Sequence, residues 1–529
     1  MTAPLLPPGY LLLRDAVSTP RSYLSDAALG LSEAAPRALP QDFFIALTSQ
    51  VLDGGVVVKA LLVAGLWAAG WGAARLAATV VPDAGVAGQC VAVTVAVWNP
   101  YVAERLLQGH WSLLVGYGCL PWVARAVLRL RDGSGPWWPL PFWIAVAGLT
   151  PTGLLLAAVV ALVSVCAPGA RRRLPVVAAA LAAAVLSALP WLVAATVSGS
   201  LAASPAAGIP AFAARAEPGL GTLGSLAGLA GIWNADAVPG SRTTAFAVVA
   251  TVVLLTVVAA GVSVVWRRPS SIPLLALAAA AVVLPAAMAT GPGLAIVEQI
   301  VRALPGLGVL RDGQKWVALA LPGYAVAGAG AVLAVRRVPA GAVAAVACAA
   351  LIAVLPDLAF GVGGRMRAVQ YPPSWAEAAA VINADPGPVA VLPPDSMRRF
   401  DWAGEAPVLD PLPRWLRADV LSTGDLVIGG ETVPGEGVRA RAVQELLLRG
   451  APQSDLAAAG VGWVVVEGNG SALDLPVAYR GDGLTVYRVG GDGASSPHRG
   501  LLIGTHVVWL AVLAGSVLAG VLGLRRSRS

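Results

Sequence analysis

Runs of apolar residues long enough to cross a bilayer are what most constrain the fold of this chain. They lie at residues 56–79, 86–98, 110–130, 138–149, 152–167, 174–197, 244–266, 271–290, 316–335, 340–357 and 501–524, about eleven in all, where a helical span takes about 20 apolar residues. With 57% hydrophobic residues, 12% charged residues and a mean hydropathy of +0.75, the rest of the chain cannot hold such runs in water. The chain therefore reads as a polytopic α-helical membrane protein. The runs at 86–98, 138–149 and 152–167 are short. Half-spanning or re-entrant helices of that kind are tolerated only where protein encloses them.

Arginine sets the orientation. Arg125, Arg129 and Arg131, then Arg171-Arg172-Arg173, Arg267-Arg268, Arg336-Arg337 and Arg525-Arg526-Arg528 fall at alternate connections, and connections rich in Lys and Arg stay in the cytoplasm. With those inside, only Asp83 and Asp132 of the 29 acidic residues are cytoplasmic. The polar mass then faces outward, in residues 1–55, 198–243 and 358–500 and in shorter loops at 99–109, 150–153 and 291–315. The expected organisation in the plasma (inner) membrane is an extracytoplasmic first loop (1–55), a transmembrane domain (56–357), a C-terminal extracytoplasmic α/β domain (358–500), a final helix (501–524) and a cytoplasmic basic tail (525–529).

The formal charge of +7 lies in short clusters between apolar runs, a topology signal that argues against nucleic acid as a partner. No glycine fingerprint for phosphates or dinucleotides occurs, and the cytoplasmic connections are too short for a nucleotide-binding fold. Residues 1–20 have neither a basic n-region nor an adequate apolar h-region. An outward Met1 therefore predicts an upstream start and one more apolar helix before Leu5.

Residues 358–500 change character. Strand-like runs at Val389-Ala390-Val391-Leu392-Pro393, Trp463-Val464-Val465-Val466-Glu467 and Leu484-Thr485-Val486-Tyr487-Arg488 alternate with helical patterns at 374–384 and 437–449, which predicts a small α/β domain tethered at both ends by membrane helices. Cys90, Cys119, Cys166 and Cys348 all sit in apolar runs. They supply no disulfide framework and no metal-ligand spacing.

Three constellations could carry chemistry. The first is Trp98-Asn99-Pro100-Tyr101-Val102-Ala103-Glu104-Arg105-Leu106-Leu107-Gln108-Gly109-His110-Trp111, a polar cluster between two apolar runs. Pro100 restricts Asn99 and ends a short helix, after which Glu104, Arg105 and Gln108 recur at helical spacing. This is either an interfacial turn with Trp98, Tyr101 and Trp111 in the aromatic belt, or the wall of a pocket in which Asn99, Glu104, Arg105 and His110 bind the head group of a lipid-linked substrate. The second is Arg14-Asp15, followed by Asp26, Glu33 and Asp42. A carboxylate just outside a first membrane helix can act as general base on an acceptor hydroxyl, the alternative being a solvated loop charge. The third runs from Arg302 to Trp316, where Arg302, Arg311 and Lys315 could neutralise a phosphate at a helix start. Snorkelling of long basic side chains is the alternative there. His498 and His506 lie apart, so no metal site is assigned, and no serine sits in a nucleophile elbow.

An outer acidic loop, short helices, the Asn99-Pro100 to Gly109-His110 segment, Arg311-Asp312 with Lys315 ahead of a later helix, and a C-terminal outer α/β domain together resemble the GT-C superfamily of polytopic membrane glycosyltransferases. Within it, the chain is most similar to the actinobacterial cell-envelope arabinofuranosyl- and mannosyltransferases. The resemblance is architectural over most of residues 1–357 and general over 358–500. It implies transfer of arabinofuranose or mannose from a polyprenyl-phosphate sugar donor to a cell-envelope glycan or glycolipid acceptor, on the extracytoplasmic side of the bilayer and usually with inversion. Asp15 matches the family's first-loop catalytic carboxylate, and Arg311 and Lys315 would stabilise the leaving phosphate. Many members carry two closely spaced acids where Arg14-Asp15 supplies one, so a divalent metal stays unassigned. A non-enzymatic carrier or flippase, or an assembly scaffold for lipid-linked glycans, is the other class that fits.

Overall fold

The computed structural model describes residues 1–33, 36–168, 172–198, 208–304, 306–394, 396–428, 430–468, 470, 472–493 and 496–526. Arg171, Pro305 and Arg528 of the segments singled out above lie outside the described residues. Every apolar run contains a helix: Gly54–Val80, Gly85–Val97, Trp111–Arg131, Pro139–Ala147, Pro151–Val165, Arg173–Val197, Phe246–Val265, Ile272–Met288, Leu321–Ala334, Ala340–Ala353 and Arg499–Arg526. The chain is a polytopic helical protein.

The expected number of spans needs correction. By length and composition, seven helices among the described residues can cross a bilayer, or nine if each of two bent pairs is one span, against about eleven expected. The difference lies in Pro139–Ala147 and Pro151–Val165, which have only 9 and 15 residues. In the other direction, the run at 86–98 is not half a span. It continues through the Pro100–Leu107 helix, and Pro82–Leu107 is 26 residues long. The bent pairs are Ile272–Met288 with Gly291–Ala303, at 93°, and Ala340–Ala353 with Pro356–Gly363, at 81°. At the first bend Thr290 accepts from the Gly293 amide and starts a new helix, with Pro292 in its first turn.

Helix starts follow from local chemistry. Asp53 accepts the Val56 amide at 3.1 Å, and Thr150 accepts that of Gly153 at 3.1 Å with Pro151 next in line. Packing between helices relies on small residues. Gly54–Val80 and Trp111–Arg131 run parallel, with Trp122 Nε1 donating to the Ala68 carbonyl at 2.9 Å and Arg125 Nε to Thr79 Oγ1 at 3.3 Å. A Cβ on Gly118 would strike the Gly65 carbonyl, and one on Gly261 the Ala327 carbonyl. Such close approaches are how helices gain contact where lipid supplies no hydrophobic drive.

Residues 368–489 hold a five-stranded sheet in the order Val477–Gly481, Leu484–Arg488, Trp463–Glu467, Val389–Leu392, Val420–Leu421. The last three strands are parallel to one another. The helices Pro373–Ala384 and Val438–Leu448 stand where the sequence placed them. Val465 and Val486 pack with Trp375 on one face, while Val464 and Tyr487 pack with Val443 and Leu447 on the other. Burial on both faces explains why Trp463-Val464-Val465-Val466 is apolar without alternation.

The first loop is fastened to this domain. Strand Tyr10–Leu13 pairs with Ala16–Val17 on one side and with Ala368–Val369 on the other, both antiparallel. Arg414 meets Asp42 at 3.2 Å, and Arg37 pairs with Glu436.

Candidate functional site

Asp15 sits at the tip of the hairpin formed by Tyr10–Leu13 and Ala16–Val17. Arg14 completes the two-residue turn in a left-handed conformation with φ 49°. That conformation is uncommon away from glycine and here is held from every side. The Arg14 amide donates to the Pro407 carbonyl at 2.9 Å, and the Arg14 carbonyl accepts from the Leu409 amide at 2.9 Å. Its guanidinium donates to the carbonyls of Leu107 at 2.6 Å and Asp236 at 2.8 Å. The Asp15 amide donates to the Gln108 carbonyl at 3.1 Å. Gly109, at φ 81°, lies so close that a Cβ would collide with the Leu13 carbonyl and the Ala16 amide. Strand pairing and the 107–110 turn therefore aim Asp15, where a membrane helix was expected to deliver it.

The carboxylate is held through one oxygen. His110 Nε2 lies 2.7 Å from Asp15 Oδ2, and Gln108 Nε2 donates to the same atom at 3.2 Å. Asp15 Oδ1 has no hydrogen-bond partner among the described residues. On the far side of the imidazole, Arg105 Nη1 stands 3.0 Å from His110 Nδ1. A guanidinium only donates, so Nδ1 must accept, and the ring proton is on Nε2, donated to Asp15. His110 is thus a neutral imidazole of defined tautomer.

Electrostatics agree with that assignment. Burial pushes His110 below the ordinary histidine range, with Arg105 and Lys315 adding to the shift against the opposing pull of Asp15. For Asp15, burial favours the neutral acid, but the His110 and Gln108 hydrogen bonds and the Lys315 charge outweigh it and hold the carboxyl below its usual value. At neutral pH the pair is a carboxylate hydrogen-bonded to a neutral imidazole. Their side chains are 36% and 17% exposed, and that of Lys315 is 25% exposed, so all three can be reached from outside the fold.

Behind this accessible layer lies a closed polar network. Arg105 donates to both oxygens of Asp312, at 3.1 and 3.2 Å, and to Gln314 Oε1. Gln314 Nε2 donates to Glu104 Oε2 at 3.0 Å, and the Glu104 carboxylate also accepts the amides of Gly231 at 3.1 Å and Ile232 at 3.2 Å. Arg105 and Lys315 override the burial of Asp312 and pull its carboxyl down to about 2. Asp312 also accepts the Lys315 amide at 3.3 Å, and Lys315 Nζ stands 3.7 Å from its Oδ2.

The sequence-derived residues thus divide. Asp15, His110, Arg105 and Lys315 come together. Glu104 is also in the network, but it is fully buried and occupied by three donors, so its role is to tie Gly231, Ile232 and Gln314 together rather than to meet a ligand. Asn99 is equally enclosed. Its Oδ1 caps Pro100–Leu107 at the Val102 amide, and its Nδ2 donates to the carbonyls of Val95 and Ala96 and to the Tyr117 hydroxyl. The expected polar helix face is therefore an interior one. Arg302 pairs with Glu298 at 2.5 Å, is 68% exposed and stands outside the network. Arg311 lies over the Phe212 ring, 4.4 Å from its centroid. Gln108, Asp312 and Gln314 were not assigned roles from the sequence, although Asp312 and Gln314 adjoin Arg311 and Lys315, which were. His506 is buried against Phe43 and directs Nδ1 to the Leu502 carbonyl at 2.8 Å. Among the described residues, no three His, Cys, Asp or Glu side chains gather as metal ligands.

No family model, curated protein or solved structure matches the chain.

Proposed function

We propose that this protein transfers a sugar from a polyprenyl-phosphate donor to a cell-envelope glycan or glycolipid on the extracytoplasmic face of the plasma membrane, with Asp15 as general base. The observation that carries the proposal is the state of Asp15, an ionised carboxylate fixed through Oδ2 by His110 and Gln108, with Oδ1 unengaged and Lys315 close enough to act on its charge. In this reaction Oδ1 takes the acceptor hydroxyl proton as the new bond forms between that oxygen and the anomeric carbon. The bond from the anomeric carbon to the phosphate oxygen breaks, and the electron pair leaves with the lipid phosphate. Lys315, already fixed in place, meets the charge that develops there.

The outward orientation rests on positive charge at one end of the helices. Arg268 pairs with Asp83 at 2.6 Å and also donates to the Val80 carbonyl at 3.1 Å, and Arg131 reaches the Ser164 carbonyl at 3.2 Å. These contacts set the arginines that follow Phe246–Val265 and end Trp111–Arg131 against the ends of Gly54–Val80 and Pro151–Val165 respectively, supporting a common cytoplasmic side. Asp15 and the α/β domain then face out.

The bent helix pairs at 93° and 81° favour a second reading, a carrier that moves a lipid-linked sugar across the bilayer. Reconstitution in proteoliposomes with a radiolabelled polyprenyl-phosphate sugar and a glycan acceptor separates the two. Transfer that is lost in Asp15→Asn supports the enzyme, whereas lipid movement without transfer supports the carrier.

A further inference from the structure

Away from the Asp15 network, the α/β domain buries a second charged cluster. Glu467 ends the strand Trp463–Glu467, which runs parallel to Val389–Leu392, and Arg398 Nε donates to its Oε2 at 2.6 Å. The same guanidinium lies 3.8 Å from Asp410 Oδ2, while Asp410 Oδ1 accepts the Leu412 amide at 2.8 Å. The side chains of Arg398, Asp410 and Glu467 are 5%, 10% and 1% exposed. One guanidinium therefore serves two carboxyls where water scarcely reaches, and Glu467 Oε1 is buried with no hydrogen-bond partner among the described residues. The cluster frames the segment that holds the Asp15 turn. Arg398 faces Val408 across the antiparallel pair Met397–Arg398 and Val408–Leu409, and Asp410 is the next residue of the chain. Val408 bridges to Arg14, with the Pro407 carbonyl accepting the Arg14 amide and the Leu409 amide donating to the Arg14 carbonyl, each at 2.9 Å.

We infer that Asp410 and Glu467 share one proton, carried on Glu467 Oε1, and that with Arg398 they are positioning residues for Asp15, acting through the 397–409 hairpin; the assignment rests on the transferase reading above. Full ionisation would leave one buried negative charge without a counter-ion, which is costlier than keeping a proton. A protonated Glu467 donates from Oε1 to Asp410 and keeps Oε2 for Arg398, so the orphaned oxygen gains a partner and the three side chains sum to zero charge. Burial and the Asp410 charge push Glu467 well above the ordinary carboxyl range, and burial raises Asp410 against the pull of Arg398, the Leu412 amide and Glu467. Two further groups bear on the pair. They are Arg414, whose charge is engaged by Asp42, and the Tyr371 hydroxyl, which donates to the Ser18 carbonyl at 2.9 Å. The hold on Arg14 is thus complete while the proton is bound. As pH rises through the Glu467 titration, a second full negative charge appears beside Asp410 and loosens the hairpin.

The test measures residue-level hydrogen exchange and sugar transfer on full-length protein in nanodiscs, for wild type, Glu467→Gln and Arg398→Met. Exchange at the Arg14 amide, corrected for its intrinsic pH dependence, reads the grip of Pro407 on the turn. In wild type, protection of that amide is expected to fall about tenfold as the medium is made alkaline. Glu467→Gln is a neutral isostere that donates and accepts as the protonated acid does, so it keeps the wild-type protection and kcat at neutral pH and removes the alkaline fall. Arg398→Met lowers protection and kcat about tenfold at every pH. Donor KM and the protection of Val438–Leu448 stay unchanged in that variant, as displacement of the turn without unfolding requires. The inference is overturned by a wild type with no alkaline fall, by a fall that persists in Glu467→Gln, by a Glu467→Gln protein that behaves like Arg398→Met, or by Arg14 protection indifferent to both variants. Arg14 protection that follows these variants, without transfer from any donor, would sink the transferase reading and leave the coupling to the turn standing. Transfer that depends on Asp15, with kcat and protection indifferent to the cluster, would do the reverse.

Discussion

Among single residues, one proton has its place fixed by exclusion. Arg105 cannot accept, so His110 must, and Asp15 receives the Nε2 proton. As the proposed general base, the Asp15 carboxyl, held below its ordinary value, would work in its ionised form, so the acid limb of the kcat/KM profile is expected to track its titration. Removing the donor in His110→Ala raises the Asp15 value and moves that limb to higher pH. His110→Gln, which can still donate, restores part of the shift, and a pH–rate series on the three proteins reads both effects. The sign for stability is the same. A depressed carboxyl contributes stability that is fully present above its unfolded value and lost as pH falls through the folded one. Arg105→Ala leaves Asp312 buried and short of its main partner, and the expected loss is about 3 kcal/mol in a denaturation series. Arg105→Lys recovers less than charge alone would give, because the two bonds to Asp312 need a planar fork.

At the scale of elements, Gly109 is the most exacting position near the site. Gly109→Ala has to adopt a left-handed φ and also push the hairpin away, so it is expected to lose about 1–3 kcal/mol of stability and most of the transfer rate. Gly133→Ala, at φ 73° with no atom near its Cβ, carries only the backbone cost of about 1 kcal/mol and leaves the rate intact. Thermal unfolding and transfer assays on the pair separate strain from displacement. The contrast also marks what was legible in the sequence. The apolar runs became helices because hydropathy is a local property, and Val389–Leu392 and Trp463–Glu467 became strands whose two-sided burial leaves a continuous apolar run, while Leu484–Arg488 places Thr485 and Arg488 at its half-buried positions. The strand Tyr10–Leu13 was not legible, since its partner Ala368–Val369 lies more than 350 residues away. Asp15 and His110 could be named from residue type and position, but their 2.7 Å contact could not. Glu104 and Asn99 looked like surface groups because sequence does not report that Gly231, Ile232 and Gln314 close over the one and a helix cap consumes the other.

At the scale of the whole molecule, the orientation makes its own prediction. In a background without the four native cysteines, a single cysteine replacing Gly133 should react with a membrane-impermeant maleimide only after the cells are opened, and one replacing Asp474 in intact cells. The opposite pattern would invert the topology and take Asp15 away from an outer acceptor. The chemistry at Asp15 is best read by single-turnover transfer in proteoliposomes, with a defined polyprenyl-phosphate sugar and matched amounts of folded wild type and Asp15→Asn. Wild type should give a labelled glycan product, and the variant a rate lower by about 10²–10⁴. A variant that transfers sugar at the wild-type rate would contradict it.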